Sequence, residues 1–291
     1  MNRLLVWTCA TLAVFSLAAR ANAVQVLYTL EGDSGTGPAA TVTDKLIADG
    51  SHNGAVQSSS PEHISVDTSP ANAAFGSSSL AFPAPHVSST LTVVDIPGTS
   101  SLGTEFTVAV QIKEIGHDFT RLFSTYDGTN ASTALALTID PMDPPAHTYN
   151  VFGSIKNTRV NRTVTGGFDD GLYHHVAMTY KDVAGTGYAS VFFDGAQLGI
   201  TETTAVGGAV NLEHDVRFGE DYPGTGIANE NVEGWADDIL IFDRALSEGE
   251  MKLLASQGAV GFLQIPEPST GGVFLVLVLV GWAGLARRRR R

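Results

Sequence analysis

Short stretches of alternating apolar and polar residues constrain this chain most, because a period of two is typical of a half-buried β-strand. The clearest case is the segment 106–112, FTVAVQI, in which every even-numbered residue is large and apolar. Residues 173–180 alternate in the same way, and residues 188–193 run into Asp194 and Gly195, a two-residue hairpin signal. No repeat of 20–50 residues accompanies these segments, which argues against a solenoid or a propeller. The pattern therefore predicts an all-β fold.

One helix is predicted near the end of this β-rich region. Ser247 and Glu250 have the Ser-x-x-Glu spacing of a capping box, apolar residues follow, and Gly258 is a suitable stop. We therefore expect two antiparallel sheets packed face to face, with one short C-terminal helix. Further short strands are predicted at residues 24–29, 78–82, 133–139, 149–155, 197–201 and 238–242.

Charge and cysteine content exclude several classes of function. The formal net charge of the whole chain is −13, but residues 24–266 hold 10 basic and 29 acidic residues, a net of −19. A body this acidic argues against nucleic acid and anionic membrane as partners. It is compatible either with bound cations or with a solvated acidic surface. Because Cys9 is the only cysteine, the body has no disulfide, zinc–thiolate site or catalytic thiol.

The first 23 residues have the three parts of a secretory signal peptide. Arg3 supplies the positive charge, residues 4–19 are apolar, and Ala21 and Ala23 form an A-x-A cleavage site. A membrane anchor that is never cleaved is the alternative. The chain is therefore expected to be exported through the inner membrane.

The last 26 residues form a second targeting signal. Residues 270–286 carry no charge, and as a helix they would span about 25 Å, the short limit for a bilayer. The arginines after them would stay on the cytoplasmic side; they are Arg287, Arg288, Arg289, Arg290 and Arg291. Before the apolar run stand Pro266, Glu267 and Pro268.

This tail resembles the PEP-CTERM sorting signal of bacterial exosortase substrates. The resemblance implies that the apolar helix holds the exported protein in the inner membrane until an exosortase cuts near the Pro-Glu-Pro motif. The product is then released, or attached to the cell envelope or extracellular matrix. An ordinary tail-anchored membrane protein is the alternative.

Four segments of the body resemble the laminin-G-like domains of the concanavalin A-like lectin/glucanase superfamily. They are YHHVAMTY at 173–180, VFFDG at 191–195, WADDILIFDRALS at 235–247 and FTVAVQI at 106–112, where Gln111 replaces the usual Trp. Their order and spacing agree with that family over roughly residues 24–262, although the first eighty residues match poorly. The resemblance implies an antiparallel two-sheet jelly-roll sandwich of twelve to fourteen strands.

These observations divide the chain into five parts. The expected boundaries are a signal peptide at 1–23, a jelly-roll domain at 24–262, a linker with the sorting motif at 263–269, a transmembrane helix at 270–286 and a cytoplasmic arginine cluster at 287–291.

The resemblance also implies a structural calcium ion. Related jelly rolls often hold one where an Asp of the closing strand meets acidic side chains and carbonyls near the first strand. In this sequence that implies Asp238 together with Glu31, Gly32 and Asp33. Calcium takes about six to eight oxygen ligands, which Asp, Glu and backbone carbonyls supply. Solvated acidic turns are the alternative interpretation.

Catalytic motifs are missing from the sequence. It has no Glu-x-Asp-x-Glu strand of the glucanases, Gly-x-Ser-x-Gly elbow or His-Glu-x-x-His motif. His174 and His175 are adjacent, so in a strand they point to opposite faces and cannot serve one centre. No residue is therefore expected to be catalytic.

We expect a non-enzymatic envelope or matrix protein that binds a polysaccharide or another surface protein. The aromatic candidates for stacking on sugars are Tyr126, Tyr149, Tyr222 and Trp235, each of which is also compatible with core packing. A divergent glycan hydrolase or lyase and a purely structural matrix component are the alternatives.

Overall fold

The computed structural model describes the folded body of the chain. The described residues are 24–36, 40, 42–45, 53–58, 64–82, 92–113, 119–125, 134–143, 148–168, 170–199, 201–204, 207–219 and 232–264. All of them belong to one compact unit, Asn22–Ile265. The predicted signal peptide, Pro-Glu-Pro motif, transmembrane helix and arginine cluster lie outside the described residues. Among those residues, none of the helices has the length and hydropathy needed to cross a membrane.

The described residues contain eighteen strands, one α-helix and a 3-10 helix at Pro70–Asn72, in agreement with the predicted class. The strands and the α-helix are named here. In chain order they are β1 (Val24–Tyr28), β2 (Ala55–Ser58), β3 (Ser65–Asp67), β4 (Ser79–Phe82), β5 (Thr92–Ile96), β6 (Ser101–Gly103), β7 (Glu105–Lys113), β8 (Thr120–Ser124), β9 (Leu135–Asp143), β10 (Thr148–Ile155), β11 (Thr158–Thr165), β12 (Tyr173–Val183), β13 (Thr186–Phe193), β14 (Ala196–Gln197), β15 (Glu202–Thr203), β16 (Val210–Asn211), β17 (Val216–Phe218), β18 (Gly234–Phe242) and α1 (Glu248–Leu263).

Two antiparallel sheets form the sandwich. The nine-stranded sheet has the order β14-β13-β12-β7-β18-β4-β3, with β1 paired to β18 and β15 paired to β13. The seven-stranded sheet has the order β11-β10-β9-β8-β17-β5-β2, and β6 pairs separately with β16. Neighbours in these sheets are often distant in sequence, as a jelly roll requires. The predicted two-sheet sandwich is confirmed, with more strands among the described residues than the twelve to fourteen expected.

The core lies between the two sheets, where the alternating pattern placed it. Phe106, Val108, Val110 and Ile112 of β7 are fully buried in the main apolar cluster. The ring of Phe106 stacks on Tyr180 of β12, with centroids 5.6 Å apart. The intervening residues of β7 face the opposite side, so one strand serves two environments.

The outer face of the nine-stranded sheet is covered by α1. The capping box is present as predicted: the Ser247 side chain accepts from the backbone N–H of Glu250, whose carboxylate accepts from the N–H of Ser247. Met251 and Leu254 of the helix are buried in a second apolar cluster with β-strand residues such as Leu240. The helix therefore adds a third layer to the sandwich.

Gly258 ends the first helical segment, as predicted, and a second segment follows it. It adopts φ +69°, and helical structure resumes at once and runs to Leu263. A Cβ atom at this position would lie 2.6 Å from the Phe75 ring and 2.7 Å from Asp238 Oδ2. Both the backbone angle and the close packing therefore require glycine here.

Replacing Gly258 by Ala is expected to destabilise the fold by about 2 kcal/mol or more, because a left-handed conformation is strained for Ala and the methyl group has no room. Gly249→Ala is the matched control, since this glycine lies in the same helix with nothing within 4 Å of its Cβ position. Urea unfolding of both variants measures the difference. Equal stability of the two would contradict the packing argument.

Candidate functional site

The predicted calcium residue Asp238 lies beside Asp237 in an irregular part of β18. The ladder between β18 and β7 is interrupted between Asp237 and Leu240, and Asp238 has φ +47°. Because of this irregularity, two consecutive carboxylates are both buried. Burial is the main cause that raises the pKa of each carboxyl above its ordinary value, and the negative charge of its acidic neighbours raises it further.

Asp237 ties β18 to the segment before β4. Its Oδ2 accepts hydrogen bonds from the backbone N–H groups of Ala74 and Phe75 at 3.0 and 3.2 Å, and its Oδ1 accepts from Asp238 N at 2.7 Å. Three backbone donors thus compensate part of the cost of burying this group.

Asp238 forms a hydrogen bond with α1. Its Oδ2 accepts from the backbone N–H of Ala259 at 2.7 Å, directly after the interruption at Gly258. A carboxylate in this position caps the resumed helical segment, whose first N–H groups have no partner within the helix. The sequence did not predict that Asp238 caps a helix, because the capped residue, Ala259, is 21 positions away.

The other predicted ligands are held by separate partners. Glu31 accepts hydrogen bonds from Ser77 N and Ser78 N, at 2.6 and 2.9 Å. Asp33 accepts from Thr43 N and from Thr43 Oγ1, and it pairs with Lys45 Nζ at 3.2 Å. Burial alone would raise the pKa of Glu31, but the hydrogen bonds from Ser77 and Ser78 and the charge of Lys45 lower it overall.

The described part of the chain contains no group of three or more His, Cys, Asp or Glu side chains that could hold a metal ion. Glu31 and Asp238 are close enough for the charge of one to raise the pKa of the other, whereas Asp33 is paired with Lys45. Gly32, which stands between Glu31 and Asp33 in the sequence, lies in a turn with φ +82°. Calcium binding by these four residues stays a prediction.

The two adjacent histidines face opposite sides of β12, as predicted. His174 packs between the sheets, stacked on Phe193 with ring centroids 5.0 Å apart. Its Nδ1 lies 2.9 Å from Asp194 Oδ2 and its Nε2 lies 3.2 Å from Asp170 Oδ1. Burial lowers the pKa of His174, but the two carboxylates outweigh it, so the net effect is a raised pKa.

His175 lies on the outer face and is buried, 2 % exposed. Neither of its ring nitrogens has a hydrogen-bond partner among the described residues. Burial lowers the pKa of His175 to about 4, against a smaller opposing effect of Asp194. This ring is therefore neutral at pH 7 and acts as a packing group.

The aromatic candidates differ in their surroundings. Tyr149 is in the core, 3 % exposed, with its ring against Phe168. Trp235 is half-buried at the start of β18. Tyr126 and Tyr222 lie outside the described residues. Of the described pair, only Trp235 offers a ring to a ligand.

A polar surface covers the outer face of β9, β10 and β11, which we call the β11 face. It is defined by Asp140, Phe152, Arg159, Asn161 and Thr163. Register places Phe152 opposite Asn161, Asn150 opposite Thr163, and Asp140 opposite Asn150, so these side chains share one face. Arg159, Asn161 and Thr163 are exposed.

Contacts on the β11 face hold its polar groups in place. The Arg159 guanidinium lies 3.8 Å from the centroid of the Phe152 ring. Thr163 Oγ1 donates to Asn150 Oδ1 at 2.9 Å. Burial raises the pKa of the half-buried Asp140, and the charge of Arg159 opposes the rise. The face therefore offers hydrogen-bond donors and acceptors beside an aromatic ring.

Sequence reasoning did not predict β11, although the signal was present. The segment TRVNRTVT alternates weakly, with Val160 and Val164 buried in the core and polar residues between them. Threonine, asparagine and arginine dilute the apolar signal because both faces of this edge strand have polar residues. The exposed half of that alternation is the β11 face.

Comparison with known proteins supports a single family. A family model described as the concanavalin A-like lectin/glucanases superfamily matches residues 88–252. No protein of curated function matches the chain in sequence at a significant level.

Several solved structures are similar to this chain. A heptameric SAP-like pentraxin from Limulus polyphemus is 20% identical, with a TM-score of 0.38 over 53% of this chain and 70% of its own. The CBM40 domain of the Ruminococcus gnavus IT-sialidase is 15% identical, with a TM-score of 0.41 over 54% and 84%. Botulinum neurotoxin type C, described as entering cells through two ganglioside molecules, is 12% identical, with a TM-score of 0.46 over 77% and 50%.

The contacts of His174 with Asp194 and Asp170 are expected to make the free energy of unfolding depend on pH. Since the folded-state pKa is raised, its stabilisation is present below the ordinary value of 6.5 and is lost as pH rises through the folded-state pKa. Urea unfolding of wild type and His174→Gln between pH 5.5 and 8.5 measures the effect. The difference in unfolding free energy should shrink as pH rises, and a constant difference would contradict the assignment.

Proposed function

Because the chain belongs to the concanavalin A-like lectin/glucanases superfamily, we propose that its folded body is a non-catalytic carbohydrate-binding domain. The observation that carries this proposal is the β11 face, an exposed polar surface on the side of the sandwich away from α1. One fold can carry many functions, so the chemistry of this surface is the support for binding.

The β11 face has the groups that recognise sugars. Arg159 and Asn161 present planar donors and acceptors to solvent, and Thr163 adds a hydroxyl. Because Arg159 rests on Phe152 and Thr163 is bonded to Asn150, these groups lose little conformational freedom when a ligand binds. Such a rigid polar surface suits a chain of sugar hydroxyls.

Carboxylate placement favours binding over hydrolysis. Glycoside hydrolysis uses a pair of carboxyl groups on either side of the scissile bond. On the outer face of the seven-stranded sheet, the described carboxylates are those of Asp140 and Asp95. Asp95 is paired with Arg217 Nε at 2.6 Å. A divergent hydrolase or lyase is the alternative function, with Asp140 as its candidate acid.

Replacing Arg159 or Asn161 by Ala is expected to weaken glycan binding about tenfold, because each removes hydrogen bonds to the ligand without disturbing the core. Isothermal titration against the best ligand from a glycan array measures the loss. Lys252→Ala is the control, since it removes one exposed charge from α1 on the other sheet. Unchanged affinity in both β11-face variants would contradict the proposed surface.

We further propose that the protein is exported and processed by an exosortase, and that it works in the cell envelope or extracellular matrix. The support is the order of targeting elements in the sequence: Arg3 and the apolar segment 4–19 at one end, and Pro-Glu-Pro, apolar run and arginines at the other. A polysaccharide of the envelope or matrix, or another surface protein, would then be the partner.

Intact-mass analysis of the full chain, expressed with and without an exosortase, tests this route. The expected mature protein begins at Val24, and with the exosortase it also lacks the segment after the Pro-Glu-Pro motif. Replacing Ala23 by Arg should block the first cut alone, since a cleavage site needs small residues. A tail retained in the presence of exosortase would contradict the sorting proposal.

We also propose that the body binds a structural calcium ion through fewer residues than the four predicted from the sequence. Asp238 and Glu31 are the candidate ligands, because the two carboxyl groups are close enough for the charge of Glu31 to raise the pKa of Asp238. Asp33 fits poorly, since Lys45 already neutralises it. Bound calcium would supply positive charge between the first loop and the last strand, and Asp238 would keep its hydrogen bond to Ala259.

Calcium is expected to raise the melting temperature of the full chain relative to EDTA, since binding to the native state contributes about 2.7 kcal/mol at a hundredfold excess over Kd. Asp238→Asn should remove the shift while keeping the helix cap, because Asn also caps helices. Asp33→Asn should leave the shift intact. No shift in the wild type would exclude calcium.

A further inference from the structure

A row of side chains with two aromatic rings crosses the outer face of the nine-stranded sheet. Register places Tyr173 opposite Lys113, Lys113 opposite Trp235, and Trp235 opposite Ala81. All four are half-buried. We call Tyr173, Lys113 and Trp235 the aromatic row. It lies two residues along β7 from Gln111, whose Nε2 donates to Ala255 O of α1, so the row adjoins the face covered by the helix.

The Trp235 ring is fixed by a network at one edge of the sheet. Its Nε1 donates to Asp67 Oδ2 at 3.0 Å, and Asp67 also accepts from Ser69 N and Asn72 Nδ2, both at 2.8 Å. Burial would raise the pKa of Asp67, but these three hydrogen bonds lower it. The carboxylate accepts three hydrogen bonds, and one of them orients the indole.

Tyr173 and Lys113 are held in the same row. The Tyr173 hydroxyl donates to Asn72 O at 2.5 Å, so one short segment orients both aromatic residues. Lys113 Nζ lies 5.2 Å from the centroid of the Trp235 ring. Since neighbouring strands are about 4.8 Å apart, the backbones that carry the two aromatic residues are about 10 Å apart.

We propose that the aromatic row binds a neutral polysaccharide, at a site separate from the β11 face. Two rings with a cationic donor between them suit a ligand with apolar C–H faces and hydroxyl edges. A preorganised platform binds without the cost of ordering its side chains. The Asp67 carboxylate beside Trp235 and the body charge of −19 oppose a polyanionic chain.

The site does not depend on the proposed function of the β11 face, because the two lie on different sheets. The positions of the tryptophans allow the two sites to be distinguished by fluorescence. The chain has three tryptophans, and Trp7 and Trp282 lie in the predicted targeting segments. A full chain with Trp7→Phe and Trp282→Phe therefore has Trp235 as its single indole, and its fluorescence reports on this site.

The test is a fluorescence titration of that full chain with cellohexaose and laminarihexaose, with hexagalacturonate as the anionic probe. A neutral hexasaccharide should give a saturable blue shift and protect Trp235 from acrylamide quenching. Tyr173→Ala should weaken this binding about tenfold, as expected for the loss of an aromatic contact. Lys113→Met is a second variant that keeps the aliphatic chain and should also weaken binding.

Arg159→Ala separates the two sites, because it should leave the Trp235 titration unchanged while impairing binding at the β11 face. No saturable response to either neutral sugar would overturn the proposal. A response to hexagalacturonate alone would overturn the assignment to neutral polysaccharides. Full binding in both row variants would place the ligand elsewhere.

Discussion

The buried carboxylate pair of β18 is the interaction on which the arrangement of the outer layer depends. Asp237 accepts from the segment before β4, and Asp238 accepts from the helix after Gly258. Both bonds are made at an irregularity in the sheet that places two successive carboxyl groups in buried positions. Burying them raises both pKa values, and their acceptor bonds to backbone N–H groups offset part of this cost.

The two sheets of the sandwich have different outer faces. The nine-stranded sheet is covered by α1 and has a small second core around Leu240, Met251 and Leu254. The seven-stranded sheet carries polar side chains on β11, and two of them, Arg159 and Asn161, are exposed. The proposed glycan surface is placed at the exposed side chains of β11. The aromatic row lies on the outer face of the nine-stranded sheet, beside the part that α1 covers.

The sequence predicted those structural features that depend on residues close together in the chain. The alternation of β7, the Asp194–Gly195 hairpin, the Ser247 capping box and the opposed histidines are all properties of a few consecutive residues, and all are confirmed. The partner of Asp33 was not predictable, because no sequence pattern links it to Lys45, which forms the ion pair with it. The role of Asp238 as a helix cap depends equally on tertiary packing. Sequence thus predicted the fold class and the candidate residues, but not which of them meet.

We propose that the body binds glycans without cleaving them. The most direct test incubates the full chain with an immobilised panel of polysaccharides and measures, in the same samples, protein retained and reducing ends released. We expect retention on at least one polysaccharide, with no reducing ends above the level of a protein-free control. Release of reducing ends that an Asp140→Asn variant abolishes would contradict it and identify the protein as an enzyme.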